Sequence, residues 1–281
     1  MRDLFDKIVQ KLSEAKVEQP RLEARLLLAH VKKCLPADIY SGTDVSEAEA
    51  QVVTDMLNRR LAHEPLDKIL GHKAFFKADF VVNNKVLSPR PDTETLVECV
   101  LENYANRNTN WRILDLGTGS GCIIESLLAE YPNARGKAVD ISAEALNVAK
   151  MNAEKLGLSQ QLEFIQADWF TAGFVQKIGQ AFDIIVTNPP YIASSEINTL
   201  EPEVKDYDPL LALDGGEDGF DSYCRLTEVV PELLVNGGKI FIEAGAGQAR
   251  KIAAVFMKKG LVFETIHKDL SGIERCVILR K

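Results

Sequence analysis

Residues 188–191 read Asn188-Pro189-Pro190-Tyr191, directly after the apolar run Phe182–Thr187. Neither proline has an N–H to give to a sheet ladder, so the chain must leave the sheet here in a stiff, pre-set shape. The tetrapeptide offers an amide side chain, carbonyls and an aromatic face. Together these make a clamp for one small planar group that carries an NH₂. A glutamine side chain is such a group, and so is the edge of an adenine.

A second constellation lies upstream. Ile113–Gly121 is a strand-forming run that enters a glycine-rich turn and then a helix-forming run. Gly117, Gly119 and Gly121 let the backbone pass close to a ligand, with Thr118 and Ser120 between them. The N–H groups at the start of the helix favour a negatively charged group. Asp140 ends the next strand, 23 residues after Gly117, and nucleotide-type folds place a ribose-binding acid at about that separation. The spacing from Gly117 is Gly-x-Gly-x-Gly rather than the dinucleotide Gly-x-Gly-x-x-Gly, which disfavours NAD. S-adenosylmethionine fits instead, with its amino-acid end at the loop and its ribose on the acid. Asp168-Trp169 closes the third strand; Trp169 can stack on a purine, and Asp168 can accept from an exocyclic amine.

These loops need a scaffold that brings them together. From residue 111 onward, strand and helix patterns alternate. Strands are predicted at 112–116, 136–140, 162–166, 182–187, 239–244, 261–267 and 276–280. Helices are predicted at 122–131, 143–156, 221–235 and 248–259, with Ser142 as an N-cap and Gly157 and Gly260 as helix-ending glycines. The alternation predicts an α/β fold with a mostly parallel sheet covered on both faces. Ligands of such sheets bind beyond the carboxyl ends of the strands, where the loops after 116, 140, 166 and 187 converge. Residues 1–72 read as a small helical bundle, with Leu4, Phe5, Ile8, Val9 and Leu12, then Leu22, Leu26 and Ala29, then Val53, Met56 and Leu57 at helix spacing. Residues 73–91 read as a β-hairpin linker: Phe75–Val82 is rich in strand formers and Asn83-Asn84 can supply the turn. Asp92 is expected to cap a helix over 93–104.

Composition bounds the function. The chain has 281 residues and a net charge of −8, with 11 basic against 12 acidic side chains in residues 1–72 and 22 against 29 in the rest. An acidic larger half is a poor match for a protein that grips a long duplex, which neutralises about 6–10 phosphates. No direct nucleic-acid partner is therefore expected. No apolar run approaches the roughly 20 residues that span a bilayer, and the N-terminus lacks the features of a secretory signal. Five scattered cysteines and four histidines show no metal-ligand spacing, so no metal is expected and a reducing cytoplasm is. A monomer is favoured. Asp214–Asp221 is acidic but lacks the alternation of a calcium loop and reads as a solvated loop. Arg21, Arg25, Lys32, Lys33, Arg59 and Arg60 read as a solvated helix surface.

Leu114–Gly121, Val139–Ser142, Gln166–Phe170 and Asn188–Ile192 together resemble the HemK/PrmC methyltransferases. So do Arg59–Leu66 followed by Leu70–His72, Leu87–Glu94 and Tyr207–Gly219. The resemblance covers nearly the whole chain, with Glu125 where a small or apolar residue is expected and Glu243-Ala244-Gly245 where the middle residue is more often bulkier. It implies a Rossmann-like S-adenosylmethionine-dependent catalytic domain over 92–281 behind a substrate-recognising helical domain. It also implies methylation of the glutamine in the Gly-Gly-Gln motif of peptide chain release factors, a step that supports translation termination. A ribosomal-protein glutamine or a nucleic-acid exocyclic amine (adenine) is the alternative acceptor. Gly117–Gly121 would then hold the methionine end, Asp140 the ribose, and Trp169 the adenine. Asn188, counted also among the cofactor-binding residues, and the Pro189 carbonyl would accept from the substrate NH₂, beside Pro190, with Tyr191 packed on its plane.

Overall fold

The computed structural model describes residues 1–39 and 44–281. They form two compact units, Met1–Gly71 with Glu201–Tyr207, and His72–Leu200 with Asp208–Lys281.

The first unit is helical: α1 (Arg2–Glu14), α2 (Pro20–Lys32), α3 (Glu47–Leu61) and α4 (Leu66–Leu70). Phe5, Ile8 and Leu12 of α1 pack against Ala24, Leu27 and Leu28 of α2 and Val53, Met56 and Leu57 of α3. The face of α2 differs from the expected one, because Leu22 is exposed and Leu27 and Leu28 are buried. The run Leu26-Leu27-Leu28 leaves the helical phase open in sequence, and packing selects it. Ser46 and Glu49 form a reciprocal capping box at the start of α3, which satisfies two N–H groups that the first turn leaves open. Several of the basic side chains read as solvated are paired. Arg60 is buried between Glu23 and Glu203, at 2.7 and 2.8 Å. Arg59 meets Glu64, Lys32 meets Glu49, and Arg21 lies over the Phe5 ring.

The second unit opens with a two-stranded hairpin, β1 (His72–Phe75) and β2 (Ala78–Val81). Its turn is Phe76-Lys77 rather than Asn83-Asn84. The apolar run 75–82 breaks because Phe76 takes a left-handed backbone, with φ of 53°, an unusual conformation for an aromatic residue. Asn83 makes a separate turn, its side chain accepting from Lys85 N. Residues 73–91 pack within this unit: Asn152 accepts from Val81 N at 2.6 Å and donates to Val81 O at 3.0 Å.

A seven-stranded sheet follows: β3 (Arg112–Leu116), β4 (Arg135–Asp140), β5 (Leu162–Gln166), β6 (Phe182–Thr187), β7 (Leu234–Glu243), β8 (Val262–Lys268) and β9 (Glu274–Arg280). The spatial order is β5-β4-β3-β6-β7-β9-β8. The first five pair in parallel, and β9 runs antiparallel between β7 and β8. Strand direction of growth reverses between β3 and β6, which creates a crevice at their carboxyl ends.

Both faces of the sheet are covered, which is why its central strands are continuously apolar. Ile113, Ile184, Val186 and Phe241 face α5 (Glu94–Asn103) and α6 (Cys122–Glu130). Leu114, Leu116, Ile185, Ile240 and Ile242 face the helices Asp221–Leu233 and Ala249–Met257. α7 (Ala143–Lys155) starts at Ser142, whose hydroxyl accepts from Ala145 N. Asp92 does not cap α5; its carboxylate accepts from Arg275 at 2.9 Å. Among the described residues no helix is long and apolar enough to cross a membrane.

Candidate functional site

The crevice at the switch point lies entirely within the second unit. Gly117, Thr118, Gly119, Ser120, Asp140, Trp169, Asn188 and Pro190 line it, together with Ser88, Arg90 and Thr93. Its empty volume is about 960 Å³ with the open mouth included. Gly121, Pro189 and Tyr191 are not in its wall.

The glycine loop owes its shape to the strands beside it. Gly117 N and Thr118 N both donate to Val139 O, at 2.9 and 3.0 Å. The Thr118 hydroxyl donates to Asp115 Oδ2 at 2.7 Å. Gly119 N donates to Asp140 Oδ2 and Ser142 N to Asp140 Oδ1, both at 2.9 Å. Burial raises the Asp140 carboxyl above the usual carboxylate range, although the N–H groups of Ser142 and Gly119 pull it down. The acid is thus held rigidly by the loop that it serves. Gly121 supports the turn from behind, and the reason no side chain is tolerated there is direct. Its φ is 84°, and a Cβ would sit 2.2 Å from Glu125 Oε1.

Glu125 is the residue that looks out of place in sequence, and the structure explains what it meets. It is fully buried in α6, and neither carboxylate oxygen has a hydrogen-bond partner. Burial, with repulsion from Asp115, pushes its carboxyl up to about 10. Burial pushes Asp115 up to about 7. Glu125 is therefore neutral in the folded chain near pH 7 and ionised in the unfolded one. Its raised pKa costs stability above the unfolded carboxyl's pKa, and the cost grows until pH passes the folded value. Replacing it by a neutral residue of similar length, Glu125→Met, is expected to stabilise the chain by about 1–3 kcal/mol at neutral pH, the cost of a buried polar group left unpaired. The gain should be larger at pH 8 than at pH 5 in denaturant titrations. An equal gain at both would remove the ionisation argument.

On the other wall, Thr187 donates through its hydroxyl to Leu116 O at 2.7 Å, which ties β6 to β3 just before Asn188. The Asn188 side-chain NH₂ points at Thr93 Oγ1, 3.4 Å away. Glu243 is buried at the end of β7; burial pushes its carboxyl up to about 7, with Thr93, Arg275 and Asn188 opposing. Trp169 packs over Gly117, where a Cβ would lie 3.4 Å from the indole ring. Arg225 donates to Trp169 O at 2.6 Å. Asp168 Oδ1 accepts from Phe170 N at 2.8 Å, and this acid lines a neighbouring hollow with Ile141 and Phe170 rather than the main crevice.

The acidic segment after Asp214 has a second identity. Read by charge it is a solvated loop; in the structure its glycines buttress the double-proline turn. Gly215 N donates to Ile192 O at 2.8 Å, Ile192 N to Leu213 O at 3.0 Å, and Ser194 N to Gly216 O at 2.9 Å. A Cβ on Gly215 would lie 2.9 Å from Pro190 O, and one on Gly219 would lie 2.4 Å from Tyr191 O. From the far side, Gln248 Nε2 donates to Tyr191 O at 3.0 Å. The Tyr191 ring packs toward Gly245, where a Cβ would lie 2.9 Å from it. Arg90, unassigned from sequence, donates to the buried Asp208 at 2.9 Å and lines the crevice.

Thr93, Glu243, Gly215, Gly219, Gln248 and Arg275 contribute to the site although sequence reading assigned none of them a role in it. Only the paired glycines at 215–216 and the glycine at 219 carried a local signal, and the acids between them masked it. Among the described residues no group of histidine, cysteine, aspartate or glutamate side chains has the geometry to hold a metal ion. The crevice fits an S-adenosyl cofactor on its own terms. It combines a backbone cradle, a rigid carboxylate at the ribose distance along the fold, and buried polar atoms without partners at Ser88 Oγ and Trp169 Nε1.

Comparison with known proteins gives concordant matches. Residues 3–71 match the PrmC N-terminal domain and residues 107–255 a methyltransferase domain. A protein of Rhodospirillum rubrum named release factor glutamine methyltransferase is 45% identical over 99% of this chain and 84% of its own length. A bifunctional methyltransferase of Rickettsia prowazekii is 37% identical over 99% of this chain, which spans only 56% of that longer protein. Among solved structures, a methyltransferase from Pyrococcus furiosus superposes with a TM-score of 0.54 at 18% identity, over 81% of this chain and 98% of its own.

Proposed function

The chain belongs to the PrmC family of methyltransferases, and we propose that it methylates the side-chain amide nitrogen of the glutamine in the Gly-Gly-Gln motif of peptide chain release factors. The observation that carries this reading is that the glycine loop and Asn188 open into one crevice, so a methyl donor and an amide acceptor meet there. When bound, S-adenosylmethionine supplies an electrophilic methyl group on a sulfonium. Gly117, Thr118, Gly119 and Ser120 receive its amino-acid end, with Gly121 holding the turn, Asp140 accepting from the ribose and Trp169 flanking the adenine.

An amide nitrogen is a poor nucleophile because its lone pair is delocalised into the carbonyl. Asn188 Oδ1 and the Pro189 carbonyl accept from the two N–H bonds of the substrate amide. This pushes electron density back onto nitrogen and fixes its direction. Holding two reactants in line can supply about 7–11 kcal/mol of a barrier. Methylation makes the nitrogen acidic, so its proton leaves afterwards to water without a strong base in the site. Pro190 stiffens the turn and Tyr191 packs beside the amide plane. The five cysteines are free thiols, in keeping with work in the cytoplasm, where translation takes place. The helical unit contributes recognition of the protein substrate.

The test is methyl transfer from labelled S-adenosylmethionine to a release factor, to its Gln→Ala variant in Gly-Gly-Gln, to ribosomal protein and to bulk nucleic acid. Label only in the intact release factor is expected. Label in nucleic acid, or undiminished label in the variant, would overturn the reading. Asp140→Ala is expected to weaken cofactor binding about 10- to 100-fold, the size of a hydrogen bond to a charged group, as measured by titration calorimetry. An unchanged affinity would remove Asp140 from the cofactor site.

A further inference from the structure

We propose that Glu243 and Thr93 form a positioning pair that fixes which end of the Asn188 side-chain amide faces the crevice. The proposal rests on the glutamine-methylating reading of the site. Asn188 follows β6, Glu243 ends the adjacent strand β7, and Thr93 stands just before α5. The three meet although 95 residues separate Asn188 from Thr93. The Asn188 amide nitrogen is 3.4 Å from Thr93 Oγ1; Glu243 follows Ile242, the strand partner of Thr187, and the Thr93 and Asn188 side chains both favour its ionised carboxylate. Thr93 and Glu243 are each almost fully buried.

The chemistry of these partners is one-directional. An ionised carboxylate can only accept, and an amide has donors at one end and acceptors at the other. Glu243 therefore draws the NH₂ end of Asn188 toward itself, and Oδ1 is left facing the crevice. The flipped amide would set oxygen against a buried carboxylate. It would also present an NH₂ to a substrate NH₂, donor against donor. The orientation that the reaction needs is thus held by two buried residues beside Asn188.

The surroundings keep Glu243 poised. Arg275 on β9 is the nearby cation. It donates to Asp269 at 3.2 Å, to Asp92 at 2.9 Å and to Ala244 O at 3.1 Å. Its charge favours ionised Glu243 and that of Asp92 opposes it. Tyr191 lies nearby after β6; Tyr223, from the helix Asp221–Leu233, donates to the Glu243 backbone carbonyl at 2.9 Å. The thiols of Cys122 on α6 and Cys276 on β9 also feel its charge. One Glu243 oxygen, Oε2, has no partner. With its carboxyl pushed up to about 7, Glu243 gains a proton as pH falls through neutrality. It then becomes a donor, and the amide is free to turn. The orienting effect is present above that pH and lost below it.

The experiment compares wild type, Glu243→Gln, Thr93→Val and Thr93→Ser, each with S-adenosylmethionine and release factor. Glu243→Gln and Thr93→Val are expected to lower kcat about 10- to 100-fold, the weight of one charge-assisted hydrogen bond. Cofactor affinity by calorimetry should stay within about threefold, which also reports folding. Thr93→Ser keeps the hydroxyl and should retain wild-type kcat. Wild-type kcat should rise with pH through about 7, and the Glu243→Gln profile should lose that rise. In ¹⁵N spectra, the Asn188 side-chain NH₂ of wild type should be protected from exchange, with protection lost in Glu243→Gln and Thr93→Val. Unchanged kcat and pH profile, or unchanged Asn188 protection, in both variants would overturn the proposal. A wild-type chain that leaves glutamine unmethylated would instead overturn the functional reading, and the exchange measurement would still decide the orientation.

Discussion

Asn188→Ala should lower the methylation rate by about 10²–10³, the usual effect of deleting one preorganised electrostatic contact, while leaving cofactor affinity close to wild type. The reason lies in where the residue sits. Asn188 lines the crevice beside the glycine loop, but the parts given to cofactor recognition, Asp140 and the loop N–H groups, are held by β4 and α7 and do not depend on it. On the proposed reading, alanine removes the acceptor for the substrate NH₂ and leaves the Pro189 carbonyl to orient the amide alone. Asn188→Asp offers a sharper version. It preserves shape, but it places a second carboxylate against buried Glu243, so it should be at least as damaging as alanine despite being isosteric. Single-turnover methylation with saturating cofactor measures both. An Asn188→Ala chain that keeps near-wild-type turnover would remove this residue from the chemistry.

Gly219→Ala should be the most damaging single methyl group added outside the crevice. Gly219 has a φ of 75°, and its Cβ would sit 2.4 Å from the backbone oxygen of Tyr191. A backbone atom cannot swing aside as a side chain can. A left-handed alanine costs about 1–2 kcal/mol, and overpacking adds about 1–3. Stability is expected to fall by about 2–5 kcal/mol, with the melting temperature lower by roughly 5–15 °C. The turn that must yield carries Asn188 and Tyr191, so methylation should drop about 10²-fold even well below the melting point, as misplacement of a reacting group by 1 Å can. Gly237→Ala provides the control. Its φ is 82°, but nothing lies within 4 Å of the added Cβ, so it should show only the backbone cost and full activity. Equal behaviour of the two variants would mean that the loop from Asp214 does not support the site.

The parts of the site legible in sequence share one property: each is a local signal. Two consecutive prolines after an apolar strand announce an abrupt exit, glycines at 117, 119 and 121 announce a close-approach loop, and Asp140 announces itself by its distance along the chain. Ser142 as a cap is similarly local, since its hydroxyl bonds three residues away. The misses are of another kind. The hairpin turn at Phe76 depends on an aromatic residue accepting a positive φ, which no propensity suggests. Asp92 looked like a cap because caps are short-range, but Arg275, far along the chain, claims it. Arg60 looked like solvated charge until Glu23 and Glu203 closed on it. The acids of 214–221 drew attention away from the glycines that do the packing.

Sequence alone determined the order of strands and helices, the crevice-forming loops and, through the resemblance of its motifs, the methyl donor and the amide acceptor. It did so because backbone freedom, proline geometry and hydrophobic period are properties of neighbouring residues. Only the tertiary structure decided what holds those loops in place: Glu243 and Thr93 behind Asn188, Gly215 and Gly219 behind the prolines, and Arg90 on Asp208. These pairings depend on which strands become neighbours in space. The sheet order β5-β4-β3-β6-β7-β9-β8 sets that, and no window of sequence contains it.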